Sequence, residues 1–378
     1  MNNTPSLTIP VSEPQLTGNA KTYLLECLDT GWVSSKGRFV TQFEQDFAKL
    51  VGTKHAISVS NGTAALHLAL LAAGIGPGDE VLVPNLTFAA TANAVIHCGA
   101  TPVLTDVCQL SWAIDLQDAA KRITDRTRAI IPVHLYGVPA DMVNIKAFAR
   151  QHQLCVIEDC AESLGASVVG QATGSIGDLG CFSFFANKLI TTGEGGMVTT
   201  NNDELADMVR CLRDHGMKPD KRYWHHIAGL NYRMTNMQAA LGVAQLEQYE
   251  VFLNRRAEVA ERYRQGLSDL PGLNWQQVYK DTSPVCWLFS FSLDPQLAGL
   301  TVQELAMVLA SEGIETRPFF FPLHLQPPYF QDECYPISNW LADNGLSLPT
   351  YTALSNAQID HITCRIRALL SQQGSKHE

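Results

Sequence analysis

No apolar run in the chain approaches the ~20 residues that a helix needs to cross a bilayer, so a membrane-spanning role is not expected. The opening residues, MNNTPSLTIPV, have neither the basic start nor the apolar stretch and small-residue cleavage site of a secretion signal, and a cytoplasmic location is the expectation. Charge is sparse: Asp, Glu, Lys and Arg make up 17% of the residues, the net charge is −10, and no basic block interrupts it. Nucleic acid and anionic membrane are therefore poor candidates for the main partner, although an acidic average leaves room for a local anion site. The ten cysteines form no CxxC pair, and Cys98, Cys155, Cys160 and Cys181 fall in apolar segments, which reads as reduced, buried thiols. His225 and His226 adjoin without HxxxH or carboxylate spacing, so no metal is expected. Neither GxGxxG nor a Walker pattern follows a strand, which argues against a dinucleotide site or a P-loop. Internal repeats and low-complexity tracts are also missing.

What is present is a core. At 378 residues and 46% hydrophobic content the chain exceeds the usual single-core size, and a large domain over 1–250, with an N-terminal arm, plus a smaller one over 251–378 is expected. From His55 short apolar segments alternate with helical ones: HAISVS, a helix over Asn61 to Ala73, EVLVP, a helix over Thr87 to His97, TPVLTDV, RAIIPVH, a helix near Asp141 to Gln153, and CVIEDC. Strands that are almost continuously apolar and alternate with helices indicate an α/β fold with a mostly parallel sheet between helices. Ligands of such sheets gather at the carboxyl ends of the strands. Further on, helices run from Thr235 to about Leu267, CWLFSFSL reads as a strand, Val302 to Glu312 as a helix, and ETRPFFFPLH as a short strand and proline-punctuated loop.

Several residues carry chemistry in this frame. Lys188 sits in the turn between Cys181–Phe185 and Gly196–Thr200, in the company of Asn187, Thr191, Thr192 and a Gly-Glu-Gly-Gly run. A partly desolvated lysine is more easily neutral, and the neutral amine is the form that attacks a carbonyl. The turn Asn61-Gly62-Thr63 opens a helix whose free N–H groups suit a phosphate, although an ordinary N-cap would look the same. Glu158, Asp159 and Glu162 end an apolar strand; carboxylates there are rarely structural, since burying one without a partner is expensive, and Asp159 is the one expected to face a cation. Arg317, ahead of a proline and aromatics, suits fixed, bidentate anion recognition.

The run FSFFANKLITTGEGGMV resembles the cofactor-lysine segment of the DegT/DnrJ/EryC1/StrS sugar aminotransferases, and the likeness extends from Gly31 to about Leu325 with its motifs in order. The resemblance implies a fold type I aminotransferase dependent on pyridoxal 5'-phosphate. It implies that Lys188 condenses with the cofactor, that Gly62, Thr63 and Ser183 hold its phosphate, and that Asp159 bonds its pyridine nitrogen. Glu162 would lie beside the ring hydroxyl, where many relatives carry glutamine or histidine, and Phe88 against the ring face. Asn231 would reach the phosphate of a neighbouring subunit, implying a homodimer with shared active sites. Ser34, Ser35 and Lys36, with Tyr223 and His226, become candidate substrate contacts near the subunit boundary; Arg317 would hold the carboxylate of L-glutamate or a sugar-linked phosphate, with His324 in the same loop. The implied acceptor is a keto-sugar, such as a nucleotide-linked 4-keto-6-deoxy sugar used for surface polysaccharide, or another carbohydrate such as an 8-keto octulosonate. A same-family dehydratase would carry histidine where Lys188 stands, and a DNA-binding regulator would need a basic helix that the chain lacks.

Overall fold

Seven strands form the central sheet of the computed structural model, which describes residues 8–217 and 220–374. Residues 1–7 of the expected arm and 218–219 of the polar loop lie outside the described residues. In spatial order the strands are His55–Val59, Gly196–Thr200, Leu179–Ser183, Cys155–Asp159, Thr127–Ile130, Glu80–Pro84 and Thr101–Thr105. The last five pair in parallel, while Gly196–Thr200 is antiparallel to both of its neighbours. That reversal follows from the hairpin: Leu179–Ser183 returns directly as Gly196–Thr200, with Gly180 opposite Thr199 and Ser183 opposite Gly196.

The parallel strands read as continuous apolar runs because both faces are covered. One face packs Ile57, Val81 and Ile157 against Leu68 of the helix Gly62–Ala72 and Val95 of the helix Ala90–His97. The other packs Leu82, Ile130 and Val156 against Ile145 of the helix Met142–His152. Each of these helices follows a strand as its crossover, so all open near the carboxyl edge of the sheet.

A second, four-stranded sheet runs in the order Leu273–Trp275, Phe289–Leu293, Gly345–Leu348, Arg317–Pro318. The 19-residue helix Tyr249–Leu267 belongs to both halves: Tyr249 and Phe252 pack beside the central sheet, whereas Val259, Ala260 and Tyr263 enter the core of the second sheet. The N-terminal segment also crosses over. Ile9 bridges Ile314 and is buried among the C-terminal residues, and Val11 accepts from the N–H of Thr350.

Candidate active site

The hairpin that carries Lys188 is held open by its own side chains. Phe184 O accepts from Thr191 Oγ1 at 3.0 Å and from the Thr192 N–H at 3.0 Å, and Thr191 Oγ1 accepts from Gly193 N at 2.9 Å. A Cβ on Gly195 would come within 2.1 Å of Thr192 Oγ1, and one on Gly196 within 2.5 Å of Asn61 O. The threonine and glycine run thus presses backbone against protein and fixes the loop that displays the lysine.

Lys188 Nζ points into a cleft of about 680 Å³ at the carboxyl edge of the sheet. It lies 3.9 Å from Glu162 Oε1 and 3.9 Å from the centre of the Trp287 ring. Burial lowers its pKa from the ordinary 10.5, against the pull of Glu162 and Asp159, with Arg317 adding to the depression. Glu162, also buried, is pushed up to about 7 by desolvation, and its Oε2 accepts from the Tyr136 N–H at 2.7 Å. Tyr136 presents that N–H from the left-handed region, at φ 55°, a conformation tyrosine seldom adopts. Asp159 is 5% exposed; its Oδ2 accepts from Thr91 Oγ1 at 2.8 Å and its Oδ1 from Ala161 N at 3.1 Å, yet desolvation still raises its pKa.

The same cleft is lined by Gly62, Thr63, Phe88, Ser183, Asn187 and Arg317. Asn61 caps the helix by accepting from Ala64 N at 2.8 Å, leaving Gly62 and Thr63 at its mouth. A Cβ on Gly62 would fall 2.8 Å from Ser183 Cβ, so the helix start and the strand end approach as closely as glycine permits. The Phe88 ring stays 59% exposed, 5.7 Å from the ring of Phe320.

The remaining sequence candidates lie elsewhere in the single chain. Ser35, Lys36, Tyr223 and His226 line a second cleft of about 1200 Å³ with Arg222 and Arg233. Ser34 and Asn231 are exposed, Ser34 giving its carbonyl to Asn236 N at 2.6 Å. His324 is buried at 2% exposure, its Nδ1 at 2.9 Å from Asn85 Nδ2 and its ring 4.7 Å from Tyr335, so it packs beneath the cleft.

Glu158 corrects the reading that groups the three carboxylates. Period-two geometry turns it to the opposite side of the strand from Asp159. There Oε1 accepts from Ile176 N at 2.8 Å and Gly177 N at 2.7 Å, while Oε2 accepts from Gly174 N and His134 Nε2, both at 3.0 Å. With partners on both oxygens, a buried carboxylate is structural after all. Cys160, His134 and Glu158 offer donor atoms within 4.8 Å of one another, but His134 Nδ1 already accepts from Ala140 N at 3.1 Å, so both ring nitrogens are engaged.

Trp287, Thr91 and Tyr136 are site residues that sequence reasoning passed over. Trp287 stands second in the strand-like CWLFSFSL run, and a polar-edged aromatic there was the available signal. Thr91 carried only the weak signal of a hydroxyl in the first turn of the helix Ala90–His97.

A sheet whose carboxyl edge presents a neutral-prone lysine, a helix N-terminus and a buried aspartate is the framework of an amino-group-transferring enzyme. The chain belongs to the DegT/DnrJ/EryC1/StrS aminotransferase family, which it matches over residues 14–367. It is similar to the GDP-perosamine synthases of Caulobacter vibrioides, at 48% identity with 96% of this chain and 98% of the relative covered, and of Escherichia coli O157:H7, at 43% identity with 97% and 99% covered. Among solved structures it is similar to Spr1654 of Streptococcus pneumoniae in its PLP form, at 27% identity and a TM-score of 0.90, covering 97% of this chain and 99% of that one.

Proposed function

We propose that this aminotransferase uses pyridoxal 5'-phosphate to move the amino group of L-glutamate onto a nucleotide-linked 4-keto-6-deoxy sugar of the perosamine type. The observation that carries the reading is the triangle of Lys188, Glu162 and Asp159 at one end of a cleft whose mouth is a helix N-terminus. The donor set suits this cofactor. Gly62 and Thr63, with Ser183 packed against them, offer N–H and hydroxyl donors to a phosphate. Asp159 offers a buried anion whose charge lacks a full counterpart, as its raised pKa reports, and the Phe88 face is open for a flat ring. Asn187 Oδ1, buried without a partner among the described residues, is a further acceptor in the same cleft.

When bound, pyridoxal 5'-phosphate supplies an aldehyde for the amine and a ring that withdraws electrons from the substrate Cα. Lys188, whose amine gives up its proton more readily for being buried, then serves as the base that takes the proton from Cα and as the acid that returns it. Asp159, buried in the same cleft, would hold a positive charge on the ring. Glu162, with its pKa near neutrality, holds or releases a proton at Oε1 beside Nζ. Arg317 faces the cleft and grips the glutamate carboxylate. The Trp287 ring, 3.9 Å from Nζ, covers one side of the amine. Lys36, Tyr223 and His226, which line the second cleft, and the exposed Ser34 and Asn231 serve the site of a second copy in a homodimer.

The test is the purified protein given pyridoxal 5'-phosphate, then L-glutamate, then a panel of keto-sugars, with the cofactor absorption followed throughout. Wild type should bind the cofactor covalently, be converted by glutamate and be restored by the 4-keto-6-deoxy sugar; Lys188→Ala should hold the cofactor without a covalent bond and lose turnover. Restoration by keto acids alone would remove the sugar from the reading. A wild-type protein that takes up no cofactor would end it.

A further inference from the structure

Arg256 is the least expected charge in the molecule. It lies at 3% exposure in the helix Tyr249–Leu267, and among the described residues no carboxylate reaches it within ion-pair distance. Burial without a counter-ion is costly, and it lowers the pKa of this guanidinium to about 10. Its hydrogen bonds go to backbone: Nη1 donates to Trp287 O at 2.6 Å and to Thr350 O, while Nε finds no partner among the described residues. Arg256 and Trp287 also line a small void of about 10 Å³ together with Glu162 and Lys188.

Trp287 in turn holds the lysine loop at two points. Its Nε1 donates to the carbonyl of Asn187, the residue before Lys188, at 2.9 Å. Its ring face stands 3.9 Å from Nζ. The other neighbour of the indole is Tyr136, stacked 6.2 Å away at 8°, which is the residue that gives its N–H to Glu162. A single side chain from the helix shared by both halves therefore fixes the strand start that orients the amine.

We infer that Arg256 is a positioning residue for Lys188: by holding the Trp287 carbonyl it sets the indole against Nζ and against the Asn187 carbonyl, and so fixes where the amine can place a proton. This rests on the reading of Lys188 as the reactive amine. A guanidinium reaching two carbonyls from one helix gives this buried arginine a role that a methionine, which would pack at lower cost, could not fill. Loosening it lets the indole withdraw and water reach Nζ, which makes the amine easier to charge.

The test compares Arg256→Met, Arg256→Lys and Trp287→Phe with wild type. Arg256→Met should lower kcat by about 10-fold or more with KM for the amino donor nearly unchanged, the pattern of a misplaced group rather than lost binding. Arg256→Lys, which can still donate to a carbonyl, should recover part of it. A second readout uses the cofactor-free protein: modification of Lys188 by an amine reagent, followed by mass spectrometry across pH, should show its midpoint rising in Arg256→Met. Trp287→Phe keeps an aromatic ring and loses the bond to Asn187, so it should lower kcat in the same sense, and with Arg256→Lys it tests the link if Arg256→Met does not fold. An unchanged kcat and an unchanged midpoint in the variants would overturn the inference. If instead wild-type Lys188 forms no bond with pyridoxal 5'-phosphate, the functional reading itself has failed, and the two failures are distinguished.

Discussion

Exchanging Glu158 for glutamine separates a structural carboxylate from the chemical one beside it. Each oxygen of Glu158 accepts two hydrogen bonds, from Ile176 N and Gly177 N at Oε1 and from Gly174 N and His134 Nε2 at Oε2. An amide keeps one acceptor oxygen and must turn its NH2 towards one of these pairs of donors. Rotating the amide merely changes which pair is left facing a donor. His134 cannot relieve the clash by changing tautomer, because its Nδ1 is already the acceptor for Ala140 N. Two hydrogen bonds to a charged acceptor are lost, at about 1.5–3 kcal/mol each, so the variant should be destabilised by about 3–6 kcal/mol. That is a large part of the ~5–15 kcal/mol that holds a typical domain. Thermal or urea unfolding of the cofactor-free protein measures it, with a fall in midpoint of roughly 10 °C expected. Protein that remains folded should still take up cofactor. An unfolding midpoint equal to wild type, combined with lost turnover, would refute this and return Glu158 to the reaction.

Asp159→Asn should do the opposite: it removes a charge that burial already disfavours, so the unfolding midpoint should hold within a few degrees while turnover falls by about 100-fold or more, read from glutamate-driven conversion of the cofactor. Gly62→Ala sets a Cβ 2.8 Å from Ser183 Cβ and should weaken cofactor binding by about 1–3 kcal/mol, measured by titration with pyridoxal 5'-phosphate. Glu162, raised from 4.5 to about 7, binds a proton more tightly folded than unfolded, so the cofactor-free protein should lose stability as pH climbs from 4.5 to 7, by about 3 kcal/mol in all. Glu162→Gln should flatten that slope. Lys188 is shifted the other way, and the stability that its buried charge costs should return as pH rises towards its unfolded value of 10.5.

What could be read from the chain alone was whatever depends on neighbours in sequence. Apolar strands alternating with helices declared the parallel sheet, since a strand buried on both faces has no polar side to show. The cap at Asn61 and the glycine run after Lys188 were visible for the same reason, as caps and turns are set within a few residues. Tertiary contact decided the rest. Glu158 and Asp159 are adjacent and chemically alike, and only the pleat and the folding of the Gly174–Gly177 loop onto one of them make the first a staple and the second a site residue. Trp287 stands 99 residues from Lys188 and Arg256 31 residues before Trp287, separations over which no local pattern operates. Their meeting, and the proton affinities that burial imposes on Lys188 and Glu162, exist because two sheets close over one amine; sequence supplies the groups, and the low dielectric that gives them their chemistry comes from packing.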